Sequence, residues 1–146
     1  MSVSVVVPCH NEAKYIEQCI VSIVEQSDYN SIRDIFVIDD GSTDETPQIL
    51  KQLKQKFNKL NIITTEGVGL PAARNIAIKL SKSEFIALLD ADDYWHKNKI
   101  KNQLKAFDYD PSIGLVYGDY WDFKRSDALD ATCVSVRSLN RFHTNQ

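Results

Sequence analysis

Three carboxylates occur within four consecutive residues, at Asp90, Asp92 and Asp93, directly after the apolar run 85–89. Carboxylates this close repel one another, so a bound cation would offset their charge. Oxygen ligands suit magnesium or manganese, which keep several waters and take further ligands from substrate phosphates. The pattern therefore predicts a divalent metal site at Asp90 and Asp92. The alternative is that Asp92 or Asp93 caps the following helix.

A second acidic pair, Asp39 and Asp40, follows the apolar run 35–38. The next residues, 41–44, are typical of a turn and a helix cap, because glycine permits the turn and Ser, Thr and Asp cap helices. Capping does not account for both acids. We interpret Asp40 as functional, since its carboxylate could accept hydrogen bonds from a base or a ribose. For Asp39 a functional and a structural role are equally compatible with the sequence.

A basic residue, Arg74, lies in the early turns of a predicted helix that follows Gly67 and Gly69. The glycines alone indicate little, because neither a P-loop lysine nor the GxGxxG spacing is present. A planar guanidinium can pair bidentately with phosphate oxygens, so Arg74 is a candidate ligand for a diphosphate. The alternative is an ion pair with Asp39 or Asp92 that only holds the loops together.

The first apolar run, 3–7, ends at Pro8, and His10 and Glu12 follow it. The imidazole of His10 could stack on a base, and Glu12 could form a hydrogen bond with the edge of that base. A structural role is the alternative for His10, as is common for a lone histidine. We interpret Cys9 as a small buried residue.

These polar residues follow apolar segments that alternate in type along the chain. The periodicity predicts strands at 3–7, 35–38, 60–64, 85–89 and 114–117, and helices at about 14–26, 45–57, 71–80 and 97–107. Leu80 and Phe107 are among the predicted buried residues of the last two helices. The alternation predicts a Rossmann-like α/β fold with a mostly parallel central sheet and helices on both faces. Because ligands bind at the carboxyl ends of parallel strands, we expect the polar loops at one edge of the sheet.

Composition narrows the class of function. The chain has 146 residues, of which 43% are hydrophobic and 25% charged, as in one folded soluble domain. A net charge of -3 without a basic stripe argues against nucleic acid as a partner. Apolar runs are too short for a transmembrane segment, and no signal peptide is recognisable. Three cysteines without zinc-site spacing favour the cytoplasm, with the protein free or peripheral at the cytoplasmic face of the membrane.

Four ordered segments between about Ser2 and Asp122 resemble glycosyltransferase family 2, whose members have the GT-A fold. They read VVVPCHNE, VIDDGSTD, GLPAARN and LDADDYW. The resemblance implies a set of nucleotide-binding residues: Pro8, His10, Glu12, Asp40, Arg74 and Asp90. In that set Asp40 would accept a hydrogen bond from uracil, Arg74 would lie by the base or the diphosphate, and Asp90 would meet the ribose or a metal-bound water. Asp90 and Asp92 match the family's metal-binding DxD element, with Mn or Mg as the cofactor.

The implied function is transfer of a sugar from a nucleotide-diphosphate donor, mostly a UDP-sugar, to an acceptor hydroxyl with inversion, as in polysaccharide biosynthesis. The acceptor, whether a glycan, a lipid or a protein, is not specified by the resemblance. In relatives the general base lies well downstream of the DxD element, so no catalytic residue is assigned here. We expect 1–127 to be a nucleotide-sugar-binding GT-A domain that is incomplete at its C-terminal side, and 128–146 to be a flexible tail or the start of an acceptor-binding region.

Three alternatives remain at this point. The chain could bind a nucleotide sugar without turning it over. It could be a sugar-phosphate nucleotidyltransferase, although residues 8–12 are not the Gly-rich basic loop that would hold a triphosphate. It could also be a phospho-accepting receiver domain, because Asp39 and Asp40 follow a strand.

Overall fold

A computed structural model of the chain describes residues 1–118 in full and, beyond them, the backbone of two short strands. The elements in chain order are β1 (Val3–Cys9), α1 (Ile16–Val24), a 3-10 turn (Tyr29–Ser31), β2 (Ile32–Asp39), α2 (Thr46–Lys56), β3 (Leu60–Thr64), α3 (Leu70–Leu80), β4 (Phe85–Leu88), α4 (Lys99–Tyr109), β5 (Tyr120–Phe123) and β6 (Ala131–Val134). Two compact units are distinguished, Met1–Lys105 and Ala106–Gln146.

The first unit is built on a four-stranded sheet in the order β3-β2-β1-β4, and every pairing in it is parallel. All seven residues of β1 are buried, because this strand has a neighbour on each side and helices over both faces. The β-branched run 3–7 suits such a strand, since it needs apolar side chains in both directions. The predicted α/β class with a parallel sheet is confirmed.

Side chains alternate between two apolar clusters on the opposite faces of the sheet. The larger cluster contains Val5 and Val7 of β1 together with buried residues of α1, α2 and the first turns of α4. The smaller contains Val6 of β1 and two residues of α3, Ala73 and Ala77. The predicted arrangement of helices on both faces is therefore confirmed, with α3 alone on its side among the described helices.

Two details of the sequence interpretation are wrong. Residues 114–117 do not form a strand, and Leu115 is 70% exposed. The apolar residues of this segment, 115–117, lie between Gly114 and Gly118 and pair with no strand in the described part of the chain. Leu80 is also exposed, because α3 packs through Ala73 and Ala77 over β1 and β2 and ends at Leu80. Phe107 is half-buried.

The second unit contains an antiparallel pair, in which β5 and β6 are aligned from Tyr120 opposite Val134 to Phe123 opposite Ala131. The predicted boundary at 127 stays a prediction, since most of 128–146 lies outside the described residues. No helix among the residues described has the length and apolar character needed to cross a bilayer.

Candidate functional site

The loops that follow β1, β2 and β4, together with the start of α3, surround an open pocket of about 310 Å³ at the carboxyl edge of the sheet. Parallel strands end together at this edge, which is why motifs distant in sequence meet there. The pocket is lined by Pro8, Cys9, His10, Glu12, Asp40, Leu70, Ala73, Asp90, Ala91 and Asp92. Thus five of the six residues predicted to bind nucleotide, and both predicted metal ligands, line one cavity.

The sixth predicted residue, Arg74, reaches this cavity through an ion pair. Its guanidinium donates to the Asp90 carboxylate, and both side chains are partly exposed. The predicted alternative, a pair with Asp39 or Asp92, was wrong about the partner. The Nε atom of Arg74 is buried without a hydrogen-bond partner among the described residues.

Several acidic side chains lie near Asp92, and one of them, Asp90, is paired with Arg74. Burial raises the pKa of Glu12, and the negative charges of Asp92 and Asp44 raise it further. Burial likewise raises the pKa of Asp93, with smaller effects from Asp92 and Asp90. The negative charge of Asp92 therefore acts on both Glu12 and Asp93, and a bound cation would offset it.

The capping alternative for this motif is wrong. α4 begins at Lys99, six residues beyond Asp93, so neither Asp92 nor Asp93 caps it. The segment instead makes a tight turn, in which the Asp93 amide donates to the Asp90 carbonyl at 3.0 Å. The turn presents the exposed Asp92 to the pocket.

The donor set fits a hard divalent ion that borrows ligands from phosphate. Asp92 is exposed, and Asp90 commits one carboxylate oxygen to Arg74. No group of three His, Cys, Asp or Glu side chains is assembled as a complete metal cluster within the described residues. One or two carboxylates are what magnesium sites use when substrate phosphates and water supply the remaining ligands.

Asp40 has a structural role that the sequence interpretation missed. Its Oδ1 accepts from the Thr65 hydroxyl at 2.5 Å and from the Val68 amide at 2.7 Å, and its Oδ2 accepts from the Gly69 amide at 2.7 Å. These hydrogen bonds, that of Thr65 foremost, lower the pKa of Asp40. The carboxylate therefore holds the loop between β3 and α3, which we call the glycine loop (residues 65–69).

The sequence was compatible with a functional and a structural role for Asp39, and the structure supports the structural one. It is buried, and its carboxylate accepts from the Ser42 amide at 3.1 Å, which closes the turn after β2. Gly41 lies in this turn with φ +75°, and a side chain there would approach the Thr65 carbonyl to 3.4 Å. Asp39 and Gly41 therefore both stabilise the backbone turn next to Asp40.

His10 is oriented by two hydrogen bonds. Its Nδ1 lies 2.8 Å from the Asp40 carbonyl, which can only accept, so Nδ1 carries the proton. Nε2 is then the acceptor for the Asn11 side-chain amide at 3.1 Å. The ring is exposed and lines the pocket, so its face is available for contact with a planar ligand.

Asn11 was not predicted as a site residue, although it ties two loops together. Its Oδ1 accepts from the backbone amides of Thr43 at 2.7 Å and Asp44 at 3.2 Å, and the backbone amide of Asn11 donates to the Ser42 hydroxyl at 2.9 Å. Its φ of 58° lies in the left-handed region, which asparagine tolerates better than most residues. The sequence feature that could have identified Asn11 is its position directly after a histidine at the end of a strand.

Cys9, which lines the pocket, and Cys19 are both buried. Burial, with the negative charge of Asp39, raises the pKa of Cys9 to about 12. Burial also raises the pKa of Cys19. Both thiols are therefore neutral, which agrees with the interpretation of Cys9 as a small buried residue.

Comparison with known proteins identifies relatives that match most of this chain. The family model "Glycosyl transferase family 2" matches residues 4–141. The glycosyltransferase GlyG of Streptococcus pneumoniae is 34% identical over 129 residues, which cover 86% of this chain and 41% of that protein. The poly(ribitol-phosphate) beta-N-acetylglucosaminyltransferase TarS of Staphylococcus aureus is 35% identical over 109 residues, or 74% of this chain and 19% of that protein. The chain therefore spans less than half the length of these relatives.

Solved structures agree with this comparison. The crystal structure of S. aureus TarS 1-349 in complex with UDP superimposes with a TM-score of 0.67 at 34% identity, covering 75% of this chain and 32% of that one. The mannosyltransferase PcManGT from Pyrobaculum calidifontis, in complex with GDP-Man and Mn2+, gives a TM-score of 0.70 at 29% identity, covering 77% and 33%. Since the family pattern extends over almost the whole sequence and the same parallel sheet recurs in solved relatives, the chain belongs to glycosyl transferase family 2.

Proposed function

We propose that the chain binds a nucleoside diphosphate sugar in the pocket at the carboxyl edge of the sheet and contributes to transfer of the sugar to an acceptor hydroxyl. The observation that carries this proposal is the convergence of Pro8, His10, Glu12, Asp40, Asp90 and Asp92 on one cavity. Relatives with this fold are named as complexes with UDP, UDP-GlcNAc and GDP-Man. The acceptor proposed is a glycan, lipid or protein hydroxyl, and the location proposed is the cytoplasm or its membrane face.

The base of the donor is proposed to lie against His10, Glu12 and Asp40. The Asp40 carboxylate lines the pocket, and a ring N–H is proposed to share one of its oxygens with the donors of the glycine loop. The exposed face of His10 offers a surface for stacking. Uracil, which has a ring N–H donor flanked by two carbonyls, fits this arrangement, and we propose a UDP-sugar as the donor.

The diphosphate is proposed to lie between Arg74 and the acidic turn. Arg74 is paired with Asp90 at the edge of the pocket, and its side chain, which is 29% exposed, would attract a phosphate oxygen by its charge. Asp92, with Asp90, would hold a manganese or magnesium ion, which when bound supplies Lewis-acid stabilisation of the departing diphosphate. An ion at this position also lets an acidic pocket accept an anionic donor.

Inversion at the anomeric carbon is proposed from the resemblance, and it requires a general base that no described residue is assigned to provide. Donor binding without turnover is the second candidate function, because the pocket residues proposed to hold the donor include none that is assigned as the general base. A nucleotidyltransferase reaction lacks support, since the loop after β1 is neither glycine-rich nor basic.

Titration calorimetry of UDP with and without Mn²⁺ tests the proposal. We expect Mn²⁺ to strengthen UDP binding, and Asp92→Asn to reduce that gain by roughly 10-fold or more, because a ligating oxygen is lost. Asp108→Asn, on the exposed side of α4, is the matched control and should keep the gain. Equal UDP affinity in the presence and absence of Mn²⁺ would remove the metal from the proposal. Release of UDP from UDP-glucose or UDP-GlcNAc, with and without acceptors, then separates transfer from binding alone.

A further inference from the structure

The segment between β4 and α4, residues 89–98, carries Asp90 and Asp92 but has neither helix nor strand. We call it the acidic loop. A segment of this kind cannot hold two carboxylates in place by its own hydrogen bonds, so neighbouring elements must do so. The neighbours are Arg74 of α3, which pairs with the Asp90 carboxylate, and α1 together with the turn that follows it.

α1 contacts the acidic loop at successive points along its length. The Cys19 thiol lies 3.7 Å from the Asp90 carbonyl. The Ser22 hydroxyl accepts from the Trp95 amide at 3.0 Å while it donates to the carbonyl of Cys19 at 2.7 Å. Beyond the helix, the Ser27 amide donates to the Lys97 carbonyl at 2.8 Å. The acidic loop is therefore attached through its backbone from the metal-binding turn to the start of α4.

Gln26 makes the most extensive of these contacts. Its Nε2 donates to the carbonyl of His96 at 3.0 Å and to that of Ser22 at 3.1 Å, and its Oε1 accepts from the Ile100 amide at 3.0 Å. The residue is buried at 4% exposure, and both side-chain amide hydrogens are used. Gln26 thus joins the end of α1, the acidic loop and the first turn of α4.

Packing alone does not account for a glutamine at this position. The face of α1 that covers the sheet is already supplied by Ile16, Ile20 and Ile23, which are fully buried. A buried amide is costly unless its hydrogen bonds are made, and those of Gln26 satisfy the carbonyls of Ser22 and His96 and the Ile100 amide, which an apolar residue would leave without this partner. What the amide adds is a fixed geometry for the backbone of the acidic loop.

We infer that Gln26, assisted by Ser22, is a positioning residue for the carboxylates of Asp90 and Asp92 in the proposed donor and metal site. The inference rests on the proposed function. Gln26 does not line the pocket, so it acts only through the acidic loop. Its loss should impair the Mn²⁺-dependent part of nucleotide binding and leave the metal-free part unchanged.

The test compares UDP affinity with Mn²⁺ and with a chelator, by calorimetry, in Gln26→Met, Gln26→Glu and Ser22→Ala. We expect the affinity gain given by Mn²⁺ to fall by up to roughly 10-fold in the Gln26 variants, the low end of the range for lost outer-shell partners of metal ligands, because Gln26 acts through the backbone of the acidic loop. Ser22→Ala should show a smaller fall in the same direction. Gln26→Glu keeps the shape but faces two carbonyls with a carboxylate, so it should be no better than Gln26→Met.

The matched control is Ser4→Ala. Ser4 is fully buried on β1, and its hydroxyl is hydrogen-bonded to the hydroxyls of Ser81 and Ser83, away from the acidic loop. It should lower the melting temperature, as the Gln26 variants do, yet keep the full gain given by Mn²⁺. If a Gln26 variant does not fold, Ser22→Ala, which removes one loop contact, carries the test.

The outcomes separate the two proposals. If the unaltered chain shows the gain and the Gln26 and Ser22 variants keep it in full, the positioning role is overturned and the metal site stands. If Ser4→Ala loses the gain to the same extent, the effect is general destabilisation and the positioning role is again overturned. If the unaltered chain shows no gain, the proposed metal site fails and the inference fails with it.

Discussion

Asp40 illustrates how one side chain can serve the fold and a ligand at once. Its carboxylate accepts three hydrogen bonds from the glycine loop, and it also lines the pocket. Because the acceptors must be ionised to receive donors on both oxygens, the loop depends on the charge of this group. A substitution at Asp40 will therefore affect stability as well as nucleotide binding.

Asp40→Asn should destabilise the protein at neutral pH, because an amide nitrogen would face a backbone N–H. The pKa of Asp40 is lowered from 3.8 in the folded state, so its contribution is present above that pH and is lost as the pH falls through the lower folded-state value. Urea unfolding at neutral pH and well below pH 3.8 should show the difference from the unaltered chain shrinking in acid. Asp108→Asn should differ little at either pH, and a constant deficit in Asp40→Asn would contradict this account.

At the scale of elements, the turn after β2 depends on backbone conformation more than on side chains. Gly41 has φ +75°, and its neighbour is the carbonyl of Thr65 at the start of the glycine loop. A side chain at this position would be strained by the positive φ and would make van der Waals contact with that carbonyl. The turn after β2 and the glycine loop therefore form a single unit that carries Asp40.

Gly41→Ala should lower the free energy of unfolding by about 1–2 kcal/mol, the usual cost of the left-handed region for a residue with a Cβ. Denaturant unfolding measures this directly. Gly114→Ala is the matched control, because a Cβ there meets nothing within 4 Å and the φ angle is ordinary. Similar losses in the two variants would show that strain at Gly41 is not the cause.

Elements and loops were predictable from the sequence to different degrees. The strands and helices of the first unit follow from continuous apolar runs and amphipathic periods, such as 3–7 and the Ile16, Ile20 and Ile23 stripe. Their order places the motifs at one edge of the sheet by the general behaviour of parallel strands. The short run 114–117 failed because periodicity over four residues does not reveal whether a pairing strand exists.

The contacts that join distant segments were not predictable. Gln26 is 70 residues from His96, and the pairing of Arg74 with Asp90 rather than Asp39 or Asp92 depends on how α3 lies over β1 and β2. Nothing in the local sequence distinguishes a glutamine that binds a remote carbonyl from one exposed to solvent. The candidate site was therefore predictable as a set of residues, while its supporting hydrogen bonds required coordinates.

At the scale of the whole molecule, ligand binding should appear as added stability. A ligand that binds only the folded chain stabilises it by about 2.7 kcal/mol at 100 times its dissociation constant. UDP or a UDP-sugar with Mn²⁺ should therefore raise the melting temperature more than GDP or ADP under the same conditions. Thermal-shift measurement across nucleotides checks this, with Asp92→Asn as the comparison. A larger shift with GDP would contradict the assignment of uracil.

Gln26 and Ser22 hold the acidic loop by main-chain atoms, so the side chains at positions such as His96 and Lys97 are not specified by that attachment. The exposed Lys97 can accordingly be replaced while the path of the loop is retained, whereas Asp90, Asp92 and the buried Ala91 and Trp95 must stay. Exposed positions of the acidic loop can therefore be changed to alter what approaches the proposed sugar site, while the hydrogen bonds from Gln26 and Ser22 keep the backbone in place.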